Sequence, residues 1–222
     1  EERTQRVCIE EYLTKLDTRY QRNGLSQMKL SIAVPVHGME NGKFFLNRLQ
    51  DSLDQQTFQD FEIVITQDGK MAENTNAAIK RSKGELIKIL YMDDYLRHPH
   101  ALQDIVDGFS GQWLVTGCEH DNGKTWHNPH YPTWNDNIQT VNTIGSPSVL
   151  TIKNDNPLLF DETMTWMLDG DYYRRMYDKF GAPVILNSLN VIIGIHDGQT
   201  TNLLSSELKA KEHEYMLEKW KQ

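Results

Sequence analysis

The sequence predicts an α/β domain in which a mostly parallel central sheet is flanked by helices. Three observations lead there. Between Lys29 and residue 118, short apolar runs rich in β-branched residues alternate with helical patterns. The runs are apolar on both faces, as strands of a helix-covered parallel sheet must be. Turn-forming residues (Pro35, Gly38, Asp68-Gly69) or adjacent acids (Asp93-Asp94) close the first three runs.

Residues 1–25 are polar, with Val7, Ile9, Tyr12, Leu13, Leu16 and Tyr20 at helical spacing before Asn23-Gly24, and the lead-in unit with its linker runs over 1–28. They predict an amphipathic helix and a linker. "KLSIAVPV" is the first strand, stopped by Pro35 and Gly38. Residues 43–54 place Phe44, Phe45, Leu46, Leu49 and Leu53 on one side of a helix. "FEIVITQDG" is the second strand, and "ENTNAAIKRSKG" a short helix with Gly84 at its C-cap. "ELIKILYM" is the third strand and delivers Asp93 and Asp94. Pro99 suits the first turn of a helix over about 99–109, which leads to a fourth strand, "QWLVTG".

From about 120 to 145 the chain becomes polar, aromatic and rich in turn residues. A segment of that kind predicts a functional loop or lid. "SPSVLTI" then reads as a strand, and "TMTWMLDGDYYRRMYDKFG" contains a helix closed by Gly181. "APVILNSLNVIIGIHDG" reads as two short strands. Residues 203–221 form a charged helix with Leu204, Leu208, Tyr215 and Trp220 as packing positions. Its possible seats are the domain itself, a twin subunit in a homodimer, or a membrane surface. Mixed charge makes the membrane the least favoured.

The formal net charge of −8 argues against a nucleic-acid partner, which calls for a basic face. An acidic protein that binds a phosphorylated ligand needs a cation to help it. Cys8 and Cys118 have no zinc or CxxC spacing and read as reduced thiols. No apolar run approaches the roughly twenty residues needed to span a bilayer. The expectation is a soluble cytoplasmic protein, membrane-peripheral at most, with no transmembrane segment.

In a sheet of this kind the ligand crevice lies beyond the carboxyl ends of the strands. The loops that should meet there hold Pro35-Val36-His37-Gly38, Gln67-Asp68-Gly69 and Asp93-Asp94. Asp93-Asp94 is either a site for Mn²⁺ or Mg²⁺, which prefer oxygen donors, or a solvated strand-to-helix loop. Asp68-Gly69 is either an acceptor for a base or ribose or a tight turn. Asp169 and Asp171 suit a general base or the capping of a helix. His196 is either a metal or phosphate contact or a polar strand end. His120, His127 and His130 lack metal spacing on a regular element.

Taken in order, these groups resemble the family 2 glycosyltransferases of the GT-A fold. "SIAVPVHGMENGKFFLNRLQDSLDQQTFQDFEIVITQDG" is similar to that family's opening strand, loop, helix and second strand. "NTNAAIKRSKGELIKILYMDD" resembles its helix, third strand and DXD motif. "NPLLFDETMTWMLDGDYYRRM" resembles its acidic ED segment, and "IIGIHDGQTTN" its late histidine. The likeness covers about residues 29–202. It implies a single Rossmann-like domain with a nucleotide-binding half over 29–118 and a small acceptor-side subregion over 119–202, followed by the helix of 203–222. It also implies a metal-dependent, inverting, hexosyltransferase-like enzyme. The donor would be a nucleotide sugar, UDP-linked in the first instance, and the acceptor the hydroxyl of a glycan or another molecule.

By the same resemblance, Pro35, Val36, His37, Gln67, Asp68 and Gly69 border the nucleotide. Asp94 holds the metal, with Asp93 beside it or on the ribose, and His196 completes the site. Asp169 is the base, with Asp171 behind it. Trp126, Tyr131 and Trp134 suit stacking on acceptor sugars or the packing of a lid. Three positions depart from the family pattern. Tyr91 or Met92 stands at the earlier acid of DXD, Gln67 replaces an acid, and Gly194 stands where many members carry arginine. These departures leave a second reading, a degenerate relative that binds a nucleotide or glycan without turnover.

Overall fold

The computed structural model describes residues 28–39 and 41–221. The lead-in helix expected over residues 1–25, and Cys8 with it, lie outside the described residues. Eight strands form one sheet in the order β2-β1-β3-β7-β5-β8-β4, with β6 paired to β5. The strands are β1 Leu30–Pro35, β2 Phe61–Thr66, β3 Leu86–Ile89, β4 Tyr95–Leu96, β5 Trp113–Asp121, β6 Trp126–His130, β7 Leu150–Lys153 and β8 Val184–Gly194. The helices are α1 Gly42–Asp54, α2 Met71–Arg81, α3 Ala101–Gly108, α4 Leu168–Phe180, α5 Thr200–Leu203 and α6 Ser206–Lys219. β1, β2, β3, β5 and β8 run one way, while β7, β4 and β6 run the other.

The parallel core is the part built from two-sided apolar runs. Every residue of β1 is buried, and β3 is buried throughout. Gly84 is needed for space rather than for a helix cap. α2 ends at Arg81, and a Cβ on Gly84 would lie 2.6 Å from the backbone of Leu30 and Ser31. Gly181 does end α4, at φ 82°, donating its N–H to the Tyr177 carbonyl.

Three elements differ from expectation. The segment after β5 is not irregular from residue 120, because β5 runs on to Asp121 and turns back through β6 as a hairpin. The two short strands expected over 183–196 are one strand, β8, whose pairing with β5 shifts at Thr116/Gly117 and Gly117/Cys118. The polar residues Asn187-Ser188 break the apolar pattern there without breaking the strand. The C-terminal helix starts at Ser206 rather than at 203, because Ser205 accepts the Leu208 N–H and caps it there, and the short α5 precedes it as a separate element. α6 packs on its own domain through Met216 and Glu212, which are buried, whereas Tyr215 is exposed on its outer side.

Candidate active site

The loops after β1, β2 and β3 meet at one end of the sheet and open onto a cavity of about 500 Å³. Pro35 and His37 line it from the first loop, Gly69 and Lys70 from the second, and Tyr91 to Asp94 from the third. The far wall is Thr165, Trp166 and Asp169 from the approach to α4. Gln199 to Thr201, with Leu203 and Leu204, close the remaining side.

Asn74 holds the first two loops together. Its Nδ2 donates to the Val36 carbonyl (2.8 Å), and its Oδ1 accepts the Asp68 N–H (2.9 Å). Its own carbonyl accepts from Thr66 Oγ1 (2.9 Å). Val36 is therefore buried behind the cavity and contributes backbone only. Gly69, at φ 59°, leaves room for the Glu73 carboxylate that takes the Lys70 N–H at 2.7 Å. Gln67 and the Asp68 side chain face outward, and Asp68 pairs with Arg81 at 2.9 Å.

The two adjacent acids are accommodated by sending them in different directions. Asp94 turns into the protein, 3% exposed, where Oδ1 accepts the Gly194 N–H at 2.9 Å and Ser148 adds a hydrogen bond. Burial, and next the Asp93 charge, push its pKa well above the usual carboxylate range. Asp93 faces His196, with 3.0 Å between Oδ2 and Nε2. The His196 ring rests on Phe45, with centroids 4.6 Å apart. Below them Arg48 donates to the Asp93 carbonyl (2.6 Å) and pairs with Asp121 (2.8 Å), its guanidinium 4.3 Å from the Tyr95 ring centre. A Cβ on Gly194 would strike the Asp93 carbonyl and stand 2.8 Å from Arg48 Nη2. Glycine there is what lets β8 close on the acid turn.

Lys88, fully buried, supports this turn from beneath. Its Nζ donates to the carbonyls of Ser148 and Leu150. Ser148 in turn accepts the Tyr91 N–H at 2.9 Å. Burial lowers the Lys88 pKa to about 7, against the pull of Asp94 and Cys118.

Asp169 stands across the cavity in the first turn of α4. Its Oδ1 accepts the Gly170 N–H and its Oδ2 accepts Asn142 Nδ2, both at 2.7 Å. Burial raises its pKa to about 6, with those two bonds opposing. Asp171 does not join it. Two residues along a helix turn the side chain about 200°, and Asp171 is buried on the other face. There it meets Arg175 (2.7 Å), Lys219 (2.8 Å) and Trp220 Nε1 (3.2 Å). It is part of an ion cluster and lies away from the cavity.

None of the expected acceptor aromatics lines the cavity. Trp126 bonds the Tyr95 hydroxyl (2.9 Å) beneath Arg97, and Tyr131 is exposed. Trp134 stacks on Tyr177 with centroids 3.9 Å apart. His120, His127 and His130 bond the backbone carbonyls of Asn128, Thr125 and Thr143. Trp166, Lys70, Asn74, Asn142 and Ser148 are the site residues that sequence reasoning missed. Asn142 and Ser148 carry no sequence signal, since their roles come from the path of an irregular segment.

Among the described residues no group of three or more His, Cys, Asp or Glu could hold a metal ion. Of the expected donors, Asp93 lines the cavity, and His196 stands beside it with Nε2 3.0 Å from Asp93 Oδ2. Divalent Mg²⁺ or Mn²⁺ needs no more from a protein when substrate phosphates complete its shell, so the residues fit an ion shared with a diphosphate. Among the same residues no helix is long and apolar enough to cross a membrane.

No family model and no curated protein matches the chain. Solved structures of S. aureus TarS do. Residues 1–349 of TarS in complex with UDP-GlcNAc match at 18% identity and a TM-score of 0.61, covering 84% of this chain and 64% of that one. The same TarS fragment without a named ligand matches at 18% identity and 0.57, covering 75% and 60%. A longer TarS structure matches at 19% identity and 0.57, covering 77% and 37%. The chain thus spans less than two thirds of each of these structures. At such identity the likeness speaks to architecture, and it agrees with the sheet order and the cavity at its carboxyl edge: the chain has the GT-A glycosyltransferase fold.

Proposed function

We propose that the chain is a glycosyltransferase that moves a sugar from a nucleoside-diphosphate donor, a UDP-sugar, to an acceptor hydroxyl with inversion. One observation carries this reading. A carboxylate with a raised pKa, Asp169, faces Asp93, which His196 backs at 3.0 Å, across a single cavity floored by the nucleotide-side loops. The structures of TarS with UDP-GlcNAc and with UDP support the donor class.

Each group has a task in this mechanism. The Asn74-stitched loops seat the nucleoside. Asp93 and His196 are the residues that would hold Mn²⁺ or Mg²⁺, and Asp94, buried and hydrogen-bonded, fixes the backbone that presents Asp93. A bound ion would supply Lewis-acid stabilisation of the departing diphosphate. Asp169 accepts the proton of the acceptor hydroxyl as that oxygen attacks the anomeric carbon from the face opposite the leaving group. A base with a pKa of about 6 is ionised at neutral pH and remains basic enough to assist. The acceptor enters over Trp166 and α5, the one wall that the nucleotide-side loops leave to it.

The test is calorimetry with a panel of nucleoside diphosphates, with and without Mn²⁺, on the native chain and on Asp93→Asn. The expected result is UDP binding that strengthens with Mn²⁺ and loses that metal dependence in the variant. Mn²⁺ alone should bind weakly, since the chain offers two donors. If no nucleoside diphosphate binds under any condition, the reading fails. Binding without turnover of any UDP-sugar would favour the degenerate relative.

A further inference from the structure

Helix α6 lies outside the stretch that resembles the family, yet it braces the wall of the cavity. Glu212, 5% exposed, accepts three successive backbone N–H groups. Its Oε1 takes Thr165 N (2.7 Å), and its Oε2 takes Trp166 N (2.8 Å) and Met167 N (3.0 Å). These groups lead into α4, whose N-cap residue is Met167 and makes no side-chain cap. Orphan N–H groups at a helix start need an acceptor and favour negative charge. Here the N–H of the N-cap residue and the two N–H groups before it find their acceptor on a helix 45 residues further along the chain.

The segment so held is the cavity wall. Thr165 and Trp166 line the cavity, and Asp169 follows in the first turn of α4. α6 also grips the segment at both ends. Lys219 pairs with Asp161 (2.6 Å) and Asp171 (2.8 Å). Lys209 reaches a further wall residue, donating to the Thr201 carbonyl at 2.7 Å, and lies 5.7 Å from the Trp166 ring centre. Met216, fully buried, seats the helix in the core.

We propose that Glu212 is a positioning residue. Its carboxylate holds the turn of residues 165–167 that leads into α4 and thereby fixes where Asp169 stands in the cavity. This rests on Asp169 being the base in the transferase reading above. The nucleotide-side loops are held by Asn74 and by the Asp94 bonds, which do not involve Glu212, so donor binding and catalysis should separate.

The experiment uses the full chain, Mn²⁺ and a panel of UDP- and GDP-sugars, measuring kcat, KM, UDP affinity and amide hydrogen exchange for the native chain, Glu212→Ala and Glu212→Gln. A misplacement of about 1 Å costs on the order of 100-fold in rate, so Glu212→Ala should lose about that in kcat while UDP affinity stays within about twofold. Faster exchange should be confined to residues 165–169. Glu212→Gln, which keeps an acceptor oxygen and the side-chain shape, should recover most of kcat. The proposal is overturned if Glu212→Ala keeps native kcat. It is equally overturned if kcat, UDP affinity and thermal stability fall together, which is what a merely structural residue would give. A native chain that turns over no donor sinks the transferase reading and this proposal with it, whereas an active native chain with an equally active Glu212→Ala sinks the proposal alone.

Discussion

The two walls of the cavity are built in different ways. The nucleotide-side wall is made by strand ends: β1, β2 and β3 stop, and their loops fall into place because the strands are parallel neighbours. The far wall is made by contacts between distant segments. Asp169 is placed by Asn142 and, through the helix start, by Glu212. One wall follows from topology, with Asn74 and Asp94 stitching it from behind, and the other from hydrogen bonds that could each be lost singly. The first should therefore resist single substitutions in its loops and fail when backbone packing fails. The second should be sensitive to single side chains.

The most damaging test of the far wall is Asp169→Asn. Removing a general base costs about 10²–10⁴ in rate, so kcat should fall within that range while UDP affinity is retained. A variant with native turnover would move the base elsewhere. The corresponding test of the near wall is Gly194→Ala. A Cβ there runs into the Asp93 carbonyl and Arg48, so β8 must shift away from the acid turn. Overpacking of this kind costs about 1–3 kcal/mol, and calorimetric UDP affinity in the presence of Mn²⁺ should fall with it. Unchanged affinity would mean that the acid turn is not part of the donor site.

Asn74→Ala is the intermediate case. It leaves the Val36 carbonyl and the Asp68 N–H without their shared partner, and an unsatisfied buried group costs about 1–3 kcal/mol. UDP affinity should drop by about tenfold, with kcat at saturating donor close to native. If kcat falls while affinity holds, the loops it ties are not the nucleotide seat.

How much of this was legible in the sequence follows the same division. β1 to β3, α1, α2 and the position of Asp93-Asp94 could be read because two-sided apolar runs and turn residues are local signals. β7 was readable as a strand, but its antiparallel seat between β3 and β5 was not, since pairing is set by tertiary packing. Asp169 could be found as an acid at a helix start. Its separation from Asp171 follows from helical geometry and was available, yet the reading of the two as a pair missed it. Trp126, Tyr131 and Trp134 looked like acceptor aromatics because composition does not say which way a ring faces. Glu212 is one acid in a charged helix, and nothing near it in sequence marks the three N–H groups it holds.

The smallest effect expected sharpens the contrast between the walls, because it runs opposite to the largest. Burial holds the Asp169 pKa at about 6, above the value of about 3.9 for an unfolded aspartate. Between those values the folded state binds more protons than the unfolded state, so stability falls as pH rises through that window. Above about pH 6 the full cost is present, because the ionised carboxylate sits where water cannot fully solvate it. Asp169→Asn removes that charge and keeps the shape. Its melting temperature at pH 7 should exceed the native value by about 2–4 °C, equivalent to roughly 1 kcal/mol. The difference should vanish near pH 4, where both side chains are neutral in the folded protein. A variant that gains nothing at pH 7 would mean that Asn142 and the Gly170 N–H already compensate the charge. The far wall would then hold its base without strain.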